Sequence, residues 1–132
     1  MISIDEAQDI LEEVAEGLPQ EFYRELNGGI ILLPEVMRSK EPWATDLYTL
    51  GQYTHSMSMG RYIAIYYGSF QYVFGENASR EKIAKELRKT LLHEFTHHLE
   101  SLAGERDLEK DDERRMQIYK NRAMKIHHIR KD

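Results

Sequence analysis

Apolar residues recur at Ile4, Ala7, Ile10, Leu11, Val14 and Ala15, the three-and-four spacing of an amphipathic helix over residues 4–16. Ser3 stands where an N-cap belongs, and Glu6, three residues on, completes a capping box. Gly17 is a natural stop. After Leu18-Pro19, residues 20–26 read as a second short helical piece with Phe22 and Leu26 facing inward, ended by Asn27-Gly28-Gly29. The period then changes. Ile30-Ile31-Leu32-Leu33 is a short apolar run between Gly and Pro, the mark of a buried strand. Residues 34–46 hold Pro34, Pro42 and several charges and read as a loop.

Leu47-Tyr48-Thr49-Leu50 followed by Gly51-Gln52-Tyr53-Thr54 predicts a second strand with a glycine irregularity. His55–Met59 is the expected connection to the clearest strand, Arg61–Tyr67, which is β-branched and aromatic between Gly60 and Gly68. Ser69–Phe74 fits a helical turn. A long helix is expected over 80–103, capped by Ser79 and stopped by Gly104. A last helix follows, from about Asp107–Asp111 to Ile126, with residues 111–132 forming that helix and a basic tail. The order is helix, strands, helix, helix. It implies one α+β domain over 1–132, with helices on one face of a small sheet.

The long helix divides into two faces. Ala84, Leu87, Leu91, Phe95, Leu99 and Leu102 make a core stripe, and His98 falls on it as a packed, hydrogen-bonded histidine. His93 and His97 project from the other side together with Glu100, toward a cleft or solvent. These residues belong to His93-Glu94-Phe95-Thr96-His97, an HExxH motif. Residues four apart lie about 6 Å apart along a helix axis, on one face, so two imidazoles can reach one zinc at roughly 2.0–2.1 Å. Glu94 sits about 100° further round: too far to be the next ligand, but close enough to act on a water at the metal. Zinc lowers the pKa of such a water toward about 7. Glu94 can take its proton as general base and return it to a leaving amine.

Composition narrows the setting. Hydrophobic residues are 41% and charged residues 31% of the chain, the balance of a globular protein with a core. There is no apolar run of about 20 residues, so no membrane span is expected. The N-terminus lacks the pattern of a secretory signal, and there are no cysteines to form disulfides or bind metal as thiolates. These features predict a cytoplasmic protein. The net charge of −5 argues against a nucleic-acid binder that works by neutralising phosphates. The charge is uneven: residues 105–113 are mostly acidic, whereas 114–131 carry Arg114, Arg115, Lys120, Arg122, Lys125, Arg130 and Lys131 without an acid. A solvated helix and tail is the reading preferred there over a basic docking surface.

The stretch from Leu87 to His98, with HExxH inside it, resembles the minimal zincin-like metallopeptidases of bacteria. Two further stretches agree in order: Leu18-Pro19-Gln20-Glu21-Phe22 is similar to that family's Leu-Pro-x-x-Phe, and Gly60–Gly68 to its strand ahead of the metal helix. The resemblance covers about residues 4–110. It implies a minimal zincin-like fold, with a small sheet on the HExxH helix and an edge strand able to pair with an extended peptide. It also implies Zn2+ as cofactor and a peptide or protein as substrate. The family pattern runs HExxHxxGxxD. Here Glu100 stands three residues after His97, and Gly104-x-x-Asp107 comes one helical turn later. Asp107 is therefore the first choice for third ligand and Glu100 the second, with Glu105 and Glu109 also open.

Stabilising an oxyanion takes a donor besides the metal, for which Tyr53, His55 and Tyr62 are candidates, although packing is the commoner role of tyrosine. Met57 and Met59 read as loop or core residues, and His127-His128 as part of a solvated tail. Three functions follow in order: a zinc metallopeptidase using His93, His97 and Glu94; a metal- or peptide-binding module with little catalysis; and an interaction protein working through its basic C-terminal segment.

Overall fold

A computed structural model of the chain describes residues 1–39, 47–106, 116–118 and 121. Helix α1 spans Ile4–Glu16. Its start is the expected capping box: Ser3 Oγ accepts the Glu6 backbone N–H at 3.1 Å, and the Glu6 carboxylate accepts the Ser3 N–H at 3.3 Å. Such a cap is worth about 1 kcal/mol. Gly17 closes the helix, its N–H shared between the carbonyls of Val14 and Ala15. A single 3-10 turn, Gln20–Tyr23, then buries Phe22 completely.

Among the described residues five strands follow: β1 (Gly29–Leu33), β2 (Met37–Arg38), β3 (Tyr48–Thr49), β4 (Gly51–Ser56) and β5 (Gly60–Tyr66). The main sheet runs β1-β5-β4, with β1 parallel and β4 antiparallel to β5; β2 and β3 form a separate antiparallel pair. The most deeply buried strand, β5, takes the centre, where both edges are paired and Ile63 and Ile65 are fully buried. Helix α2 (Tyr67–Phe74) continues from β5 without a loop, and helix α3 spans Arg80–Arg106. The result is an α+β architecture. Helix α3 lies against β4 and β5, and α1 lies against α3. Between them Leu87, Leu91, Phe95 and Leu99 meet Ile10, Leu11, Phe22, Ile63 and Ile65 in one cluster. Each such side chain contributes about 1.5–3 kcal/mol by leaving water. No helix of the described residues is long and apolar enough to cross a membrane.

Three expectations are corrected. Gly104 does not stop α3, which runs on to Arg106. Gly104 does not take the positive φ that would turn the chain out of the helix, and α3 continues through it. The β4–β5 connection is shorter than His55–Met59, because β4 pairs with β5 as far as Ser56↔Gly60. The stretch 34–46 is not all loop, since Met37-Arg38 pairs with Tyr48-Thr49. The expected last helix falls almost wholly outside the described residues; within it, Met116–Ile118 and Asn121 are helical and Met116 is buried.

Candidate metal centre

The outward face of α3 meets the start of β4 at Gly51, and the contact leaves no room for a side chain. A Cβ at Gly51 would lie 2.7 Å from Thr90 Cγ2, 3.1 Å from Ile65 Cδ1 and 3.3 Å from Glu94 Cγ. Glycine thus lets the strand close down on the helix one turn before the motif. The glycine irregularity legible in the sequence is this close approach.

With strand and helix so near, Glu94 is covered: it is 6% exposed, while His93 and His97 on either side of it are exposed. The Glu94 carboxylate accepts a hydrogen bond from the backbone N–H of Tyr53. Burial pushes its pKa above the ordinary carboxylate range, and His97 and the Tyr53 N–H pull it part of the way back. A carboxyl raised in this way is a better proton acceptor near neutral pH than a solvated one.

The two histidines converge. His93 Nε2 and His97 Nε2 are 3.1 Å apart, with the rings nearly perpendicular. A metal held tetrahedrally at roughly 2.0–2.1 Å by two nitrogens sets them about 3.3 Å apart, so this pair fits two ligands of one zinc. Glu100 is also near, but its Oε1 lies 4.0 Å from His97 Nδ1, the nitrogen that does not face His93. That is the place of an outer partner orienting a ligand. Among the described residues no third His, Cys, Asp or Glu joins the pair. Asp107 and Glu109 lie outside the described residues, and Glu105 lies on α3 beyond Gly104.

The other face of α3 holds a polar network built around an enclosed histidine. His98 is fully buried, as its position on the stripe predicts. Its Nε2 lies 2.8 Å from the Arg24 carbonyl, which can only accept, so Nε2 carries the proton. Its Nδ1 then accepts from Tyr53 OH at 2.9 Å, and Tyr53 OH accepts from Arg61 Nη1 at 3.1 Å. Arg61, itself buried, also donates to Ser101 Oγ. Burial holds the His98 pKa below the usual histidine value.

This network decides the oxyanion candidates. Tyr53 lines the open cleft with His93, Glu94 and His97, but its hydroxyl is engaged between Arg61 and His98. His55 and Tyr62 are not brought to the cleft. Tyr62 alternates with Arg61 and Ile63 along β5 and so takes the opposite face of the sheet. Sequence reasoning marked Gly51 only as an irregularity and missed Thr90 and Arg61, whose parts depend on which strand meets which helix turn.

The edge of β4 adds a further element. Tyr66 N–H donates to the Leu50 carbonyl at 2.9 Å, which fixes the alternation of the ladder. In the register Gly51↔Ile65, Tyr53↔Ile63, His55↔Arg61, the backbone groups of Gly51, Tyr53 and His55 point away from β5. They face the side where His93, Glu94 and His97 line the cleft.

Fold and motif together define the class: an α+β protein that presents HExxH from a long helix beside a sheet edge. No family model and no curated protein matches the chain. Among solved structures it is similar to a conserved hypothetical protein from T. thermophilus, at 36% identity and a TM-score of 0.63, over 78% of this chain and 99% of that one. The chain belongs to the family of that protein.

Proposed function

We propose that the protein is a zinc-dependent metallohydrolase of the minimal zincin type that cleaves peptide bonds. The observation that carries the reading is the 3.1 Å convergence of His93 Nε2 and His97 Nε2 beside the buried Glu94 carboxylate. His93 and His97 would hold the metal, with Asp107, which lies outside the described residues, as first choice for the third ligand. When bound, zinc supplies Lewis acidity, polarising a carbonyl and lowering the pKa of water toward about 7. The chain's own residues do the rest. The outward backbone groups of β4, other than the Tyr53 N–H that Glu94 holds, pair with an extended peptide and hold its bond across the cleft. Glu94, kept basic by burial and aimed by the Tyr53 N–H, accepts the proton of the attacking water and returns it to the leaving amine.

Glu94→Gln keeps the size and the acceptor for Tyr53 while removing the base. Peptide turnover by the zinc-loaded protein should fall by about 10²–10⁴-fold with zinc content unchanged. Turnover that survives the substitution would overturn the mechanism. A second reading, a metal- or peptide-binding module without catalysis, is favoured by the missing third donor among the described residues. Stoichiometric zinc together with no cleavage of unfolded protein substrates would establish it.

A further inference from the structure

Beside the open cleft lies a second cavity of about 470 Å³, formed where the β3–β4 segment crosses the first part of α3. Its walls include Tyr48, Leu50, Gly51, Thr90 and Leu92, and it shares Gly51, His93 and Glu94 with the cleft of the metal pair. The charged groups at its far end match one another: Glu86 is buried, 3.3 Å from Lys82 Nζ and 4.0 Å from Lys89 Nζ. A charged guest would therefore displace an existing ion pair, whereas an apolar guest exchanges water for carbon contacts. The size falls within the range of pockets that enclose small ligands.

The pocket is also at the right distance. Thr90 stands three residues before His93, about 4.5 Å along the helix axis. Side chains on one face of an extended peptide repeat at about 6.8 Å. A peptide laid on the β4 edge with its bond at His93 and His97 thus brings a side chain one or two residues away over this pocket.

We propose that the pocket receives one apolar side chain of an extended peptide lying along β4, so that the site selects segments with Leu, Met or Phe next to the reacting bond. The proposal rests on the reading of His93, Glu94 and His97 as the peptide site. It names the substrate class as unpaired apolar segments, of the kind exposed in unfolded or strand-forming chains.

The test uses full-length, zinc-loaded Glu94→Gln protein and labelled Ser/Gly-rich peptides that differ at one guest position, with Kd read by fluorescence anisotropy. Leu and Phe guests should bind at least about tenfold more tightly than Gly, Glu or Lys guests. Adding Thr90→Phe, which fills the pocket, should shrink the Leu-to-Gly ratio below about threefold. Equal affinities, a preference for a charged guest, no measurable binding, or a preference untouched by Thr90→Phe would each overturn the pocket. The guest ratio stands without the Thr90 variant, should that variant fail to fold. Cleavage by the unmutated protein is measured in parallel. Cleavage without guest preference removes the pocket and keeps the hydrolase, whereas guest preference without cleavage does the reverse.

Discussion

The two faces of α3 carry adjacent histidines with opposite fates. His98 on the inner face is enclosed, and both ring nitrogens have partners. His97 on the outer face is half exposed, and its Nε2 turns toward the same atom of His93. An enclosed polar group must have every bond supplied by the protein, because water cannot reach it. One open to solvent can exchange its partners for something else. The comparison teaches that a histidine's part is set less by its neighbours in sequence than by whether the fold encloses it.

The sharpest way to break the contrast is His97→Ala. Zinc retention after dialysis, read by metal analysis, should be lost, exceeding the roughly 10–100-fold that loss of an outer partner costs. Urea unfolding of the metal-free protein should hardly change, since His97 lies on the exposed face of the helix. Phe95→Ala, two residues away on the inner face, should act oppositely. It removes a fully buried ring that meets Tyr23 edge-on, and should cost about 3–5 kcal/mol in urea unfolding. His98→Leu should cost about 1–3 kcal/mol, because it strands the Arg24 carbonyl and frees Tyr53.

The same histidine predicts a pH dependence with a definite sign. Its pKa in the fold lies below the unfolded value of 6.5, so the unfolded chain binds the extra proton. Its contribution is complete above pH 6.5 and declines as pH falls below that. Urea midpoints of the wild type should drop across this window, and those of His98→Leu should drop less. The smallest effect belongs to Glu100→Ala: within about 0.5 kcal/mol in stability, as for other exposed sites. Its zinc affinity sharpens the choice of ligand. A fall of about tenfold or less marks an outer partner of His97, and a loss as complete as that in His97→Ala would make Glu100 a ligand.

Much of this contrast is legible before any coordinates. Helical period alone separates Leu91, Phe95, His98 and Leu99 from His93, His97 and Glu100, because burial follows the angle around an axis. The capping box of α1 and the apolar run of β1 are equally local. What sequence does not disclose is long-range or conditional. Met37-Arg38 becomes a strand because Tyr48-Thr49 pairs with it. β4 extends through His55 to Ser56 because β5 supplies partners for both. Gly104 has the composition of a stop but lacks the backbone angle of one. The closeness of Gly51 to Thr90 and the link from Tyr53 to His98 join residues far apart in the chain, and Arg61 enters the same network from a neighbouring strand.

The bond from Tyr53 N–H to the Glu94 carboxylate has one more consequence, for the protein's behaviour in crowded solution. A sheet edge with open backbone groups is a template on which copies of a chain can stack into aggregates. β4 is such an edge, and Glu94 occupies one of its donors with a carboxylate that an incoming strand would have to displace or desolvate. The residue proposed to do the chemistry thereby also discourages self-association along β4. Glu94→Ala should therefore shorten the time the protein stays free of aggregates at high concentration, where Glu94→Gln should not.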